Sequence, residues 1–253
     1  MRRVLMRCQQ AGAGGEAPWG RAAQAGPGAA CLLGGNGTQA ALAEQYRMLR
    51  TSLQRGGQRH GPRSILVTSS LPGEGKSTVA ANLAIAVARS GAEQVLLIDG
   101  DLRNPSLARL FGLRAAAGLA DYLRGEAGLE NLLLPTHLAG LSLLPAGRAA
   151  PEAAALLGSE RMRALLAAVS LPQRLVVLDS PPLLLAADPA VLSSQVDAVL
   201  LVVRAGLAER EAVARAIEPL GAGKLLGVVF NGLEPEAGDW RGKYLRHYYR
   251  GAK

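Results

Sequence analysis

The stretch Ser70-Leu-Pro-Gly-Glu-Gly-Lys-Ser-Thr78 constrains this chain more than any other. It follows Ser64–Ser69 (SILVTS), which reads as a buried strand, and runs into Ser77–Ser90, which reads as a helix. Gly73 and Gly75 let backbone N–H groups turn inward around phosphate oxygens, where a side chain would obstruct them. The helix N-terminus adds its partial positive charge. Lys76 is placed to reach β- and γ-phosphates, and the Ser77 hydroxyl is placed to ligate Mg²⁺. Gly73, Glu74, Gly75, Lys76, Ser77 and Thr78 are thus the candidate nucleotide-binding residues of the loop. Ser70 stands where the usual G-x-x-x-x-G-K-S/T pattern has its first glycine, a mild departure.

Such a loop needs a strand behind it and a helix ahead, and the rest of the chain supplies more of both. Gln94–Asp99 (QVLLID), Leu141–Leu144, Leu175–Asp179, Ala198–Arg204 and Leu225–Asn231 read as strands. Helical patterns lie at Pro151–Val169, with a break near Gly158, and at Glu209–Leu220. Asn104 to Leu134 is more irregular. Strands alternating with helices predict an α/β fold: a doubly wound, mainly parallel sheet of P-loop NTPase type with helices on both faces. Apolar residues make up 49% of the chain and aromatics only 4%. The core must therefore be built from Leu, Val, Ile and Ala, as in sheets buried on both sides.

The chain divides into three parts. Residues 1–37, rich in Gly, Ala and Gln and without periodicity, read as a disordered leader. Residues 38–235 form the P-loop domain, opening with a helix in which Leu42, Tyr46, Leu49 and Leu53 recur at helical spacing. Thr38 caps its start and Gly56-Gly57 end it. Residues 236–253 are a flexible basic tail. Cys8 and Cys31 fit neither a disulfide framework nor a metal-ligand spacing, so a reducing compartment is expected. No apolar run reaches the ~18–20 residues needed to span a bilayer, and no apolar segment follows the basic N-terminus. A cytoplasmic protein is the expectation.

Two acidic elements follow strands. In Val95-Leu-Leu-Ile-Asp-Gly-Asp-Leu-Arg103, Asp99 and Asp101 emerge at the carboxyl end of a strand, where ligands bind in open α/β sheets. Two carboxylates separated by one glycine can divide two tasks, accepting a hydroxyl proton and holding a metal. Arg103 is positioned to hold both in place. In Leu175-Val-Val-Leu-Asp-Ser-Pro-Pro182, Asp179 ends a strand where a Walker-B aspartate reaches Mg²⁺. Pro181-Pro182 stop the strand.

Two further features lie outside this site. The segment Trp240–Arg250 holds Tyr244, Tyr248 and Tyr249, three of the five tyrosines in the chain. Tyrosines concentrated in an aperiodic tail are there to be read or modified, or else they dock on the domain. Residues 241–253 hold Arg241, Lys243, Arg246, Arg250 and Lys253 and no acidic residue, so their side chains sum to +5. On the opening helix Glu44, Arg47 and Arg50 form a charged stripe, which is either a solvated face or a contact between identical subunits.

Together these residues resemble the bacterial tyrosine kinase (BY-kinase) family that accompanies exopolysaccharide and capsule synthesis. The resemblance covers roughly residues 38–253. It rests on Pro72–Ser77 as Walker A, Asp99, Asp101 and Arg103 as Walker A′, Asp179–Pro182 as Walker B, Glu44, Arg47 and Arg50 as the E-x-x-R-x-x-R motif, and the tyrosine cluster. It implies an ATP- and Mg²⁺-dependent protein-tyrosine kinase that autophosphorylates Tyr244, Tyr248 and Tyr249. Asp99 would assist deprotonation of the tyrosine hydroxyl, Asp101 and Asp179 would organise Mg²⁺, and Asn231 would lie against adenine. It implies a ring-like homo-oligomer joined through Glu44, Arg47 and Arg50, with tails in neighbouring sites. The family's transmembrane activator, a polysaccharide chain-length protein, would be a separate chain that recruits this one to the inner face of the cell membrane.

The alternative is a partitioning or division-site ATPase of the same fold. Those proteins usually carry a lysine five residues before the P-loop lysine, where this chain has Leu71. A non-catalytic, nucleotide-dependent activator of a polysaccharide machine is the third reading, and the presence of Lys76, Ser77, Asp99, Asp101 and Asp179 argues for activity instead. The net charge of +8 invites a nucleic-acid partner, but no base-reading motif accompanies it, and none is expected.

Overall fold

The computed structural model describes residues 2–5, 32–33, 39–54, 61–221 and 223–232. Their strands are β1 (Arg2–Leu5), β2 (Ser64–Ser69), β3 (Gln94–Asp99), β4 (Leu134–Pro135), β5 (Leu141–Leu144), β6 (Arg174–Asp179), β7 (Ala198–Arg204) and β8 (Leu225–Asn231). They form one sheet in the order β1-β8-β7-β2-β6-β3-β5-β4, with every neighbouring pair parallel except β4 and β5. The helices are α1 (Gln39–Gln54), α2 (Lys76–Ala88), α3 (Leu107–Leu110), α4 (Leu119–Arg124), α5 (Ala153–Leu157), α6 (Glu160–Val169), α7 (Asp188–Ser193) and α8 (Arg210–Ile217).

Alternation along each central strand divides the core in two. Leu66, Leu96, Ile98, Val176, Leu178, Val199 and Leu201 point to one face, where they pack with residues of α4 to α8. Ile65, Val67, Val95, Leu97, Leu175, Val177, Leu200 and Val202 point to the other, under α1, α2 and Leu107 of α3. Both faces are covered, which is why these strands are apolar at almost every position. Helix α2 is buried at every residue from Val79 to Ala88, because the sheet lies beneath it and α1 above. On α1, Tyr46, Leu49 and Leu53 are buried as their spacing requires.

Strand order positions the site. Strand β3 follows β2 in sequence but lies two places away, with β6 in the gap. The carboxyl ends of β2, β6 and β3 therefore stand side by side, and Asp99 and Asp179 are paired residues in the ladder. Ligands of open α/β sheets bind at this edge.

The leader departs from the sequence expectation in two places. Arg2–Leu5 adds a parallel strand beside β8, in register from Gly227 to Phe230. Leu32 and Leu33 are buried in the α1–α2 core, and the Leu33 amide donates to Asn82 Oδ1 on α2 at 2.8 Å. Cys8, Cys31, Thr38 and Gly56-Gly57 lie outside the described residues, as do the tail and its three tyrosines.

Candidate active site

The loop between β2 and α2 has a left-handed backbone at Gly73 (φ 79°) and Gly75 (φ 89°), a conformation that glycine adopts without steric cost. A side chain at Gly75 would also collide with the Asn231 amide. The loop is braced from inside by Glu74, which is fully buried. Its Oε2 accepts the Leu71 amide at 2.7 Å and its Oε1 accepts the Arg204 amide at 3.1 Å, tying the loop to the end of β7. Asn231, at the end of β8, donates from Nδ2 to the Glu74 carbonyl at 2.8 Å, and its Oδ1 accepts the Gly232 amide at 2.9 Å. Both ends of the Asn231 amide are therefore engaged with backbone. The Leu183 amide donates to Ser69 O at 2.8 Å and the Leu184 amide to Ser70 O at 3.3 Å, joining the chain after β6 to the same loop.

Lys76 projects toward the acidic edge. Its Nζ lies 3.1 Å from Asp101 Oδ2 and 3.3 Å from Ser77 Oγ. Burial alone would lower its pKa, but the charges of Asp179, Asp101 and Asp99 outweigh burial and hold it above the ordinary lysine value. Lys76 is thus a fixed cation.

The three aspartates differ in how they are held. Asp99 is fully buried; its Oδ2 accepts the amides of Ser106 (3.0 Å) and Leu107 (2.9 Å), and its Oδ1 accepts that of Asp101 (3.3 Å). Burial pushes its pKa up to about 6, against the lowering pull of those amides. Asp101 Oδ1 accepts the Asn104 amide at 3.0 Å, which leaves Oδ2 for Lys76. Asp179 is fully buried, and neither carboxylate oxygen has a hydrogen-bond partner. Burial pushes its pKa up to about 7, opposed chiefly by the charge of Lys76. The Ser77 hydroxyl lies near enough to lower that value further, without donating a well-formed hydrogen bond. Gly100 passes so close to the end of β6 that an added Cβ would sit 2.6 Å from the Asp179 carbonyl.

The residues present fit a Mg²⁺ ion. A buried carboxylate without partners is costly unless something ordinarily compensates it. Asp179 faces a hydroxyl and a second carboxylate, a hard oxygen donor set. Among the described residues no group of three His, Cys, Asp or Glu side chains could hold a metal alone. Mg²⁺ is commonly taken through one or two carboxylates plus phosphate and water, a set that Asp179 and Asp101 can begin.

Arg103 does not hold Asp99 and Asp101, as its position in the sequence suggested. It makes a two-point ion pair with Asp188, Nε to Oδ2 at 2.8 Å and Nη2 to Oδ1 at 3.2 Å. Asp188, which sequence reasoning missed, opens α7 and is fully buried. Its one signal is the pairing of an acidic residue with Pro189, an arrangement typical of a helix start.

Far from this edge, Arg47 pairs with Glu44 on α1, and Arg47 is exposed. Arg50 is half-buried beside Leu53, Pro62, Ile65, Val87 and Leu175, and its Nε has no partner. Among the described residues no helix is long and apolar enough to cross a membrane.

Comparison with known proteins adds to this geometry. Residues 62–182 match the ParA family, described as the NUBPL iron-transfer P-loop NTPase. The chain is 38% identical over 191 residues to the tyrosine-protein kinase YwqD of Bacillus subtilis (strain 168), covering 75% of this chain and 80% of that protein. It is 32% identical over 191 residues to the tyrosine-protein kinase CpsD of Streptococcus agalactiae, covering 74% and 82%. Among solved structures it is similar to the kinase domain of the Escherichia coli tyrosine kinase ETK, with a TM-score of 0.73, 33% identity and 78% of each chain covered.

Proposed function

Because the chain belongs to the bacterial tyrosine kinase family, we propose that it transfers phosphate from ATP to tyrosine, acting on Tyr244, Tyr248 and Tyr249 of its own C-terminus. Through this activity it regulates exopolysaccharide or capsule synthesis and export. The observation that carries the reading is the edge where Lys76, Ser77, Asp101 and the partnerless carboxylate of Asp179 meet. A cation, a hydroxyl and two carboxylates, one of them without a partner, around a glycine-lined helix N-terminus suit a phosphoryl group and its metal.

Phosphoryl transfer needs mainly positioning and charge neutralisation. The backbone around Gly73 and Gly75 cradles the phosphates, and Lys76 neutralises their β and γ oxygens. Mg²⁺, when bound, would be held by Ser77, Asp101 and Asp179 and would neutralise charge on the transferring group. Asp99 assists deprotonation of the tyrosine hydroxyl. Its three amide contacts leave part of its acceptor capacity free, and burial makes it more basic than an exposed aspartate. Asn231 lies against adenine, its side chain held by the bond from Nδ2 to the Glu74 carbonyl.

The remaining parts of the reading concern assembly. Subunits join through α1, with Glu44, Arg47 and Arg50 at the contact, and place their tails in neighbouring sites. A separate transmembrane activator recruits the protein from the cytoplasm to the inner face of the membrane and raises its activity. The test is incubation of the purified protein with ATP and Mg²⁺, with and without a cytoplasmic peptide of a cognate membrane partner, followed by phosphotyrosine detection. Phosphotyrosine that rises with the peptide supports the reading. ATP hydrolysis without phosphotyrosine in either condition contradicts it.

A further inference from the structure

The loop that carries Asp99 and Asp101 is tied down at several points. Asp99 gathers the amides of Ser106 and Leu107, the Gly100 amide donates to the Asp179 carbonyl at 2.9 Å, and the Leu102 carbonyl accepts the Ala150 amide at 2.9 Å. Asp101 itself is steered by the Asn104 amide, which holds Oδ1 while Oδ2 faces Lys76. Between these points stands Arg103, one residue before the amide that orients Asp101.

Arg103 reaches across to the segment leaving β6. That segment begins just after Asp179, runs through Pro181-Pro182 into a turn at residues 183–185 and ends at Asp188, the first residue of α7. The Asp188 carboxylate is fully buried, whereas the Arg103 side chain is 44% exposed. A buried carboxylate held by both prongs of one guanidinium is fixed in direction as well as charge. The two loops that supply Asp101 and Asp179 are thereby clamped to each other at a distance from either carboxylate.

We infer that Arg103 and Asp188 are a positioning pair for phosphoryl transfer: their two-point clamp sets the turn at 101–104 and so holds Asp101 against Lys76. Neither residue touches substrate, and both act through Asp101. The inference rests on the kinase reading. Its characteristic consequence is that charge alone is insufficient, because a lysine at position 103 neutralises Asp188 without the fork that fixes orientation.

The experiment compares wild type with Arg103→Lys, Arg103→Met and Asp188→Asn. It reads melting temperature, affinity for a fluorescent ADP analogue, kcat for transfer to a peptide of residues 236–253, and ATP hydrolysis. Arg103→Lys is expected to melt near wild type and to bind the analogue within about twofold, yet to lose roughly 10- to 100-fold in kcat, as misplacement near 1 Å does elsewhere. Arg103→Met and Asp188→Asn should lose as much in kcat, and Arg103→Met should also melt lower, since it leaves the buried Asp188 carboxylate without its partner. Wild-type kcat in Arg103→Lys overturns the inference, because neutralising Asp188 would then be all that Arg103 does. Equal losses in kcat and analogue affinity overturn it as well, because the pair would then be serving the fold or the nucleotide cradle. Wild type that hydrolyses ATP without transfer defeats the kinase reading instead, and the pair is then judged by the same comparison on hydrolysis.

Discussion

Lys76 Nζ lies 3.1 Å from Asp101 Oδ2, with both side chains largely shielded from water. The pair joins the loop after β2 to the loop after β3 across the intervening strand β6. The carboxylate thus fixes the lysine's direction and supports its charge, and the loop that supplies it also carries Asp99.

Asp99 and the lysine pair have separable tasks in this account. Asp99→Asn keeps an amide oxygen for the Ser106 and Leu107 amides but removes the base. Transfer to a tail peptide should fall about 10²-fold or more, the usual range for general-base loss, while ATP affinity changes little. Steady-state transfer and equilibrium binding on the same preparation check this. Equal losses in both would make Asp99 a structural or metal-binding residue.

Asp179 should be a site where function costs stability. Its pKa is raised mainly by burial, so the native state holds a proton there that the unfolded chain releases. The associated stability is present at acid pH and is lost as pH rises through about 7; Asp99 acts in the same sense up to about 6. In EDTA the melting temperature should therefore fall between about pH 5 and about pH 8. Asp179→Asn should flatten that slope and melt above wild type at the alkaline end, while abolishing transfer. A calorimetric series showing no pH slope, or a variant less stable than wild type at pH 8, contradicts this.

Glu74 is expected to matter through its carboxylate, which faces the protein. Glu74→Ala strands the Leu71 and Arg204 amides, at about 1–3 kcal/mol for each unsatisfied group. The loop should lose both stability and nucleotide affinity, whereas Glu74→Gln, which keeps one acceptor oxygen, should lose less of each. Thermal melting and ADP binding on the two variants decide it.

Assembly supplies a further test. The Glu44–Arg47 pair is exposed on α1, and Arg50 is half-buried, so only part of the stripe is presented to a neighbour. Each phosphotyrosine adds roughly −1.5 to −2 charges at pH 7, so three would cancel or slightly reverse the side-chain charge of +5 on residues 241–253. Light scattering should give a larger mass for unphosphorylated protein than for phosphorylated protein or for Arg47→Ala/Arg50→Ala. Equal masses for all three would contradict the ring.

Much of this arrangement is legible in the sequence, for a physical reason. Strands β2, β3, β6, β7 and β8 are buried on both faces, so each is a continuous apolar run that ends at a polar residue at the ligand-binding edge. Those ends are Ser69, Asp99, Asp179, Arg204 and Asn231. Short elements carry no such signal: β4 has two residues, one of them Pro135, and β1 and α7 are too brief to show a period. Pairing across distance is equally silent. Arg103 and Asp188 lie 85 positions apart, and Glu74 meets the Arg204 amide 130 positions away. The sequence marks such residues as charged without naming their partners. It likewise hides Leu32 and Leu33, which sit in Gly/Ala-rich surroundings yet fill the core beside Asn82.

Transfer of phosphate from this P-loop to the chain's own tail can be followed residue by residue with site-resolved mass spectrometry. Purified wild type and Lys76→Met are incubated with ATP and Mg²⁺, and residues 236–253 are recovered as peptides. Phosphate is expected on Tyr244, Tyr248 and Tyr249 in wild type and none in Lys76→Met, whose methionine removes the cation at the β- and γ-phosphates. Tail phosphorylation undiminished in Lys76→Met, or wild type that consumes ATP and leaves all three tyrosines unmodified, would contradict this transfer.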